Sequence, residues 1–426
     1  MKLIVKGKFF TGKGILEGSV LIEDERIARI AREIREPADE VLDYNKKGHV
    51  VLPGLIDIHV HMRDFEQSYE EDFQTGTSAA AMGGFTVVAD MPNTKPRVNK
   101  PTILKKRERV AKNGALVDYG LYYGVPDRED DLVDEIKTLA VGFKVFMQHE
   151  FYTGKRVLTE KVLEFASRKK MLVVAHAENP RLFVETWMDA TGTPEAEASA
   201  IKDMAGLALS RDFPLHITHI SSAEGVSEFL RWKRRAKITA DTCPHYLLLS
   251  EEDARLQGTI AKVYPPIKTK ADAKVLLKKV KDGGIDAISS DHAPHSLEEK
   301  ANFERAPAGF PGLETTLPLL LTMVNKGLLG IEDVVRACAT NPSKILGLDL
   351  VGTIEKGKIG NLTVIDLHRL SRINPKSFMS KAKYSPFEGR EVEGGPVATI
   401  IRGQPVMLDG EIVARKGWGK NVKTYG

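Results

Sequence analysis

The chain has 426 residues, 42% hydrophobic and 28% charged, and its 62 Lys and Arg against 58 Asp and Glu leave a formal net charge of +4. That length can bury a large core, while the small and evenly spread charge gives no sign of a nucleic-acid surface, and no stretch approaches the roughly 20 apolar residues of a membrane span. Cysteine occurs only at Cys243 and Cys338, which excludes a disulfide framework and a cysteine-built zinc site, so any metal must sit on His and oxygen ligands.

The N-terminus, Met1-Lys2-Leu3-Ile4-Val5-Lys6, lacks the apolar core of a signal peptide, and a cytoplasmic protein is expected. Residues 1 to about 50 read as short strands broken by Gly7, Gly12, Gly14 and Gly18. A similar texture returns from about residue 351, in Gly352-Thr353-Ile354 through Ile365-Asp366 and again in Ala398-Thr399-Ile400-Ile401. Two β-rich ends around a different middle predict one small sheet domain assembled from residues 1–51 and 351–426. Such a domain requires strand pairing across the two ends.

The middle, 52–350, alternates strand-like and helical runs. Candidate strands lie at 55–59, 85–89, 117–123, 142–146, 172–176, 215–219, 238–243 and 287–291, with helices expected at 103–111, 160–168, 195–210 and 271–280. The basic run Lys233-Arg234-Arg235 after Trp232 reads as a helix end. Eight β/α units over about 300 residues predict an α/β TIM barrel; a doubly wound sheet competes, but no Gly-rich dinucleotide fingerprint follows the first strand.

Polar residues fall where the barrel reading needs them. In Pro53-Gly54-Leu55-Ile56-Asp57-Ile58-His59-Val60-His61-Met62-Arg63, alternate strand positions aim His59 and His61 the same way. Asn93 follows strand two, Lys144 lies near the end of strand four, and His176, His219 and Asp291 end strands five, six and eight. Singly, His176 or His219 is more often a hydrogen-bonded core histidine, and Lys144 a lysine snorkelling from a strand end. Together, at C-terminal strand ends that converge on one mouth, they predict a metal centre of the zinc type. Arg63 beside it could hold a carboxylate through a bidentate fork.

The order of Pro53-Gly54-Leu55-Ile56-Asp57-Ile58-His59-Val60-His61, Gly83-Gly84-Phe85-Thr86, Met91-Pro92-Asn93-Thr94, His176-Ala177-Glu178, His219-Ile220-Ser221-Ser222, Cys243-Pro244-His245-Tyr246 and Asp291-His292-Ala293-Pro294-His295 resembles the cyclic amidohydrolases of the metal-dependent amidohydrolase superfamily. Among them the chain most resembles the dihydroorotases, over nearly its whole length. The terminal sheet is then expected to be a β-sandwich. The resemblance implies two Zn²⁺, His59 and His61 binding one with Asp291 and His176 and His219 the other, bridged by a hydroxide and by a carboxylated Lys144, with Glu150 in reserve for the bridging role. It also implies Asp291 as the proton-transferring group, and Arg63, Asn93 and His295 as the residues that hold a substrate carboxylate, with Tyr264, Ala308 and Gly309 near the ring. The substrates implied are N-carbamoyl-L-aspartate and L-dihydroorotate, and the associations implied are a homodimer and contact with aspartate carbamoyltransferase.

Two departures stand out. Relatives often carry Arg-x-Pro-Gly where this chain has Arg63-Asp64-Phe65-Glu66, and Asn-Pro-Pro-Leu-Arg where it has Tyr264-Pro265-Pro266-Ile267-Lys268. The first predicts a different local turn, and the second puts a ring contact made by that Asn in question. A hydantoinase or allantoinase, or a non-catalytic scaffold of the same fold, remain the alternatives; the former would lack the carboxylate clamp, the latter metal ligands. The scarcity of amides, five Gln and 11 Asn, points to a thermophilic source.

Overall fold

In a computed structural model, residues 2–12, 14–186, 190–303 and 305–425 are described. The apolar runs of the middle form eight parallel strands: β1 Leu55–Val60, β2 Phe85–Asp90, β3 Asp118–Gly124, β4 Ala140–Phe146, β5 Leu172–His176, β6 Leu215–Ile217, β7 Ile238–Thr242 and β8 Ala287–Ile288. Each pairs with the next in chain order. Val60 bridges His292 in parallel, and His61 N donates to His292 O at 2.8 Å, which joins the last strand to the first and makes a TIM barrel. Every residue of β1, β2 and β3 is buried, as expected where helices cover one face of a strand and the barrel interior the other.

The helices follow their local signals. Pro101–Gly114 and Pro194–Arg211 start on proline, Thr193 caps the latter through Ala196 N, and Thr269 with Asp272 forms a capping box for Lys270–Lys281. Ala223–Lys233 ends at the basic run. Phe73–Met82 carries no strong amphipathic pattern because it is buried along most of its length. At Gly76 a Cβ would lie 2.3 Å from Met62 Sδ, so this helix packs closely on the side chain between His61 and Arg63, which would have to move for any larger residue.

Both ends of the chain build one nine-stranded sheet, a β-sandwich, and the decisive pairing crosses between them: His49–Pro53 runs antiparallel to Leu362–Arg372, from Pro53 opposite Leu362 to His49 opposite Asp366. Leu3, Val5, Phe9, Val20, Val51, Leu362, Val364 and Ile400 share its core. Gly54 then passes the chain straight from this sheet into β1. Arg402, buried, bonds Asp118 on β3 and the carbonyl of Trp418, and Tyr119 N takes Lys420 O at 2.9 Å, so the last residues dock on the barrel and tie the two parts together. Among the described residues no helix is long and apolar enough to cross a membrane.

Two strands are shorter than expected, and side chains are the reason. β6 stops at Ile217 rather than 219: Asp241 Oδ1 accepts the His219 amide at 2.7 Å, and His219 takes a left-handed φ of 43°. β8 stops at Ile288 rather than 291, where Asp57 Oδ2 accepts Ser290 N at 3.1 Å and Asp291 turns to φ 46°. Left-handed backbone at non-glycine residues is uncommon and gathers at functional sites.

Candidate active site

The C-terminal strand ends open into a cavity of about 490 Å³, lined among others by His59, His61, Arg63, Asn93, His176, His219, Tyr264, Asp291, His295, Ala308 and Gly309. Its size suits a small-molecule site. Eleven of the twelve residues singled out from sequence therefore line one cavity; Lys144 lies beneath it, fully buried.

His59 and His61 do share a face, their ring centroids 5.3 Å apart. Their Nε2 atoms lie 3.4 and 3.3 Å from the same Asp291 Oδ1, and the three residues form a group whose ligand atoms all fall within 4.8 Å. His176 and His219 form a second pair, Nδ1 to Nε2 at 3.0 Å, joined to the first through the His59 and His219 rings at 5.2 Å. Burial, followed by Lys144 and the neighbouring imidazoles, holds His59 well below the ordinary imidazole range; burial, His176 and Lys144 do the same to His219, and burial lowers His61. The lowering favours the neutral form of these three rings, whose lone pairs then fit a cation.

The supporting shell fixes which nitrogen faces inward. His61 Nδ1 meets Asn93 Oδ1 at 2.7 Å, so a proton there leaves Nε2 as the ligand atom and turns the Asn93 amide group outward as a donor. Glu178 Oε2 lies 2.7 Å from His176 Nε2 and so frees His176 Nδ1. Glu178 stands two residues after His176, and that spacing was the signal available for it. Asp57 Oδ1 accepts the His59 amide at 3.1 Å and Asp241 the His219 amide, and each carboxylate reaches a residue of the turn after β8.

Lys144 Nζ contacts Thr218 Oγ1 at 3.1 Å, and burial pulls its ammonium down to about 8. A shift of that size raises the free-amine fraction at neutral pH on the order of a few hundred-fold over an ordinary lysine, which is the form that adds CO₂. Glu150 is committed elsewhere: its Oε2 accepts Phe146 N at 2.8 Å and its Oε1 faces Arg97 at 3.8 Å.

Across the mouth, Arg63, Asp64 and Phe65 are consecutive left-handed residues, φ 47°, 64° and 52°. Arg107, fully buried, holds this turn: Nη1 donates to Arg63 O at 2.8 Å while Nε and Nη2 grip Asp90 Oδ2 at 2.9 and 2.7 Å. Arg63 Nη2 meets His295 Nε2 at 2.9 Å, and that nitrogen also lies 3.1 Å from Ala308 O. Glu70, which no motif of the sequence marks, lies against both Arg63 and His295. Gly309 has φ 124° and sits where a Cβ would come 2.5 Å from Ala293 O, so the loop floor can be built only with glycine. Lys300 Nζ pins that loop through Pro307 O at 2.9 Å and Gly309 O at 3.0 Å, and burial pushes it down to about 7. Tyr264 lines the wall of the same cavity.

Comparison with known proteins places this geometry. Residues 50–406 match the amidohydrolase family. The chain is 38% identical to the dihydroorotase of Pyrococcus furiosus, over 99% of this chain and 97% of that one, and 36% identical to the dihydroorotase of Methanothermobacter thermautotrophicus, over 93% and 92%. Among solved structures it is similar to the L-hydantoinase (dihydropyrimidinase) from Arthrobacter aurescens, with a TM-score of 0.93, 28% identity and coverage of 98% and 99%. With the family match across the barrel and full-length relatives at this identity, the chain belongs to the metal-dependent amidohydrolases and, within them, to the dihydroorotases.

Proposed function

We propose that the chain catalyses the reversible interconversion of N-carbamoyl-L-aspartate and L-dihydroorotate in pyrimidine synthesis, using two zinc ions. The observation that carries this reading is one cavity holding a neutral His and carboxylate cluster on one side and the Arg63–His295 pair on the other. His59, His61 and Asp291 would hold one ion, His176 and His219 the other, and a carbamate on Lys144 would supply an oxygen to each. When bound, the metal pair supplies a water of lowered pKa and polarises the ring carbonyl.

The chain's own groups do the rest. In the hydrolytic direction Asp291 Oδ1 takes the proton of the attacking water and returns it to the ring nitrogen as the C–N bond breaks. In ring closure the carboxylate that will be attacked takes up one proton, the ureido nitrogen gives a second to Asp291 as the C–N bond forms, and Asp291 passes it to the departing oxygen, which leaves as water. Arg63, with the free Asn93 amide and His295, holds the carboxylate outside the ring, and the loop at Ala308 and Gly309 closes against the ring with Tyr264 opposite. Likeness in fold to hydantoinases favours a second reading, a cyclic amide without a carboxylate. The test is turnover of L-dihydroorotate against dihydrouracil by the zinc-loaded enzyme. Preference for dihydroorotate by 100-fold or more is expected; equal turnover of the two would favour the second reading.

A further inference from the structure

The reaction proposed above leaves Glu70 without a task, although it is a buried carboxylate, 4% exposed, set against two side chains that line the cavity, Arg63 and His295. Its Oε2 lies 3.2 Å from Arg63 Nε and 3.2 Å from His295 Nδ1, and Oε1 accepts from Gln67 Nε2 at 3.2 Å. Arg63 Nε donates also to Pro294 O at 3.1 Å, and Nη2 to His295 Nε2. The Nε side of the guanidinium is thus fully engaged, whereas Nη1 has no protein partner among the described residues. Glu70, His295 and Glu299 lie close enough together to suggest a cation site, but the Arg63 guanidinium already stands against the same Glu70 oxygen and is the resident cation.

A buried guanidinium without a counter-charge is costly, and a long side chain without anchors has many rotamers. Glu70 removes both problems before any substrate arrives.

Building on the carboxylate-binding role assigned to Arg63 and His295 above, we propose that Glu70 is the positioning residue of that pair: it orients both side chains and balances their charge, so that the substrate carboxylate is recognised by an aimed Nη1 group rather than by a bare net charge. Glu70 therefore governs affinity for the carboxylate and leaves the chemistry at the metal centre to other groups.

The zinc-loaded wild type is compared with Glu70→Ala and Glu70→Gln by three readouts: kcat and KM for L-dihydroorotate, bound zinc per chain, and the Kd of orotate, which carries the same carboxylate on an unsaturated ring. In Glu70→Ala the orotate Kd and the dihydroorotate KM rise about tenfold or more, the loss of one charge-assisted contact, while kcat changes far less and zinc is retained. Glu70→Gln recovers part of the orotate affinity, because its amide oxygen still accepts one N–H. Unchanged orotate binding in Glu70→Ala overturns the proposal, as does a parallel fall of kcat, zinc content and melting temperature, and so does a wild type that binds no orotate. If orotate binding follows the expected pattern while the wild type does not turn over dihydroorotate, the assigned reaction fails and the role of Glu70 stands.

Discussion

Replacing Arg107 with Leu should unfold the chain's balance at the mouth from behind. The guanidinium is fully buried, between the Phe65 and Phe73 rings at 5.2 and 4.4 Å, and makes three charge-assisted hydrogen bonds, two to Asp90 and one to Arg63 O. Leucine fills part of the space but leaves Asp90 as an unpaired buried charge, a defect of about 3–5 kcal/mol. Burial already outweighs Arg107 and holds the Asp90 carboxyl above its ordinary value. The pair is therefore a desolvated one, and removing both charges should cost less than removing one. Asp90→Asn keeps an acceptor for Met62 N, which Asp90 Oδ1 now binds at 2.8 Å, so the double variant with Arg107→Leu should recover about 2 kcal/mol of the single variant's loss. The sign with pH follows: without Arg107 the folded pKa of Asp90 rises further, so the penalty is full near pH 7 and shrinks as pH falls towards the unfolded value near ~3.9. Denaturant midpoints at pH 7 and pH 5, with KM for dihydroorotate alongside, measure this. A loss below about 1 kcal/mol in Arg107→Leu, or a double variant equal to the sum of the singles, would refute the reasoning.

Arg63→Ala should raise KM for dihydroorotate by about 10- to 100-fold with zinc content unchanged, a charge-assisted contact being worth about 1.5–3 kcal/mol; a normal KM removes Arg63 from carboxylate binding. Reactivation of the metal-free enzyme by zinc should require bicarbonate and speed up as pH rises through about 8, where Lys144 loses its proton; Lys144→Ala should stay inactive, and bicarbonate-independent recovery contradicts a carbamate. Glu178→Ala should weaken zinc binding about 10- to 100-fold in a chelator competition by releasing His176 Nε2, and unaltered zinc affinity would show that Glu178 does not orient the ligand.

The elements of this fold and the outline of its site are legible in the residues themselves. The barrel strands announce themselves as largely apolar runs, because a strand buried on both faces is mostly apolar, and the polar residues that interrupt it, such as Asp57 and His59 in β1, stand out. The His59-Val60-His61 alternation and the order of polar residues at strand ends point to the group that the fold does bring together, His59, His61 and Asp291 at one mouth. The helix Phe73–Met82 was harder to read, since a helix buried on most sides has no polar stripe. The ends of β6 and β8 were misplaced for a different reason: Asp241 and Asp57 capture backbone amides there, and a side chain that competes with a ladder from 22 or 233 residues away leaves no local signal.

Sequence by itself determined the eight strand runs of the barrel and which polar residues stand at their ends, because periodicity and residue chemistry are local properties. Tertiary structure alone decided which groups share a charge. Glu70 lies in Tyr69-Glu70-Glu71-Asp72, a run indistinguishable from an ordinary acidic helix start, with Asp72 as the actual cap. Only barrel closure, which brings His295 from beyond β8 beside Arg63 from beyond β1, turns that carboxylate into part of the site. Ion pairing falls off over a few ångströms, and those distances do not exist until the first and last strands meet.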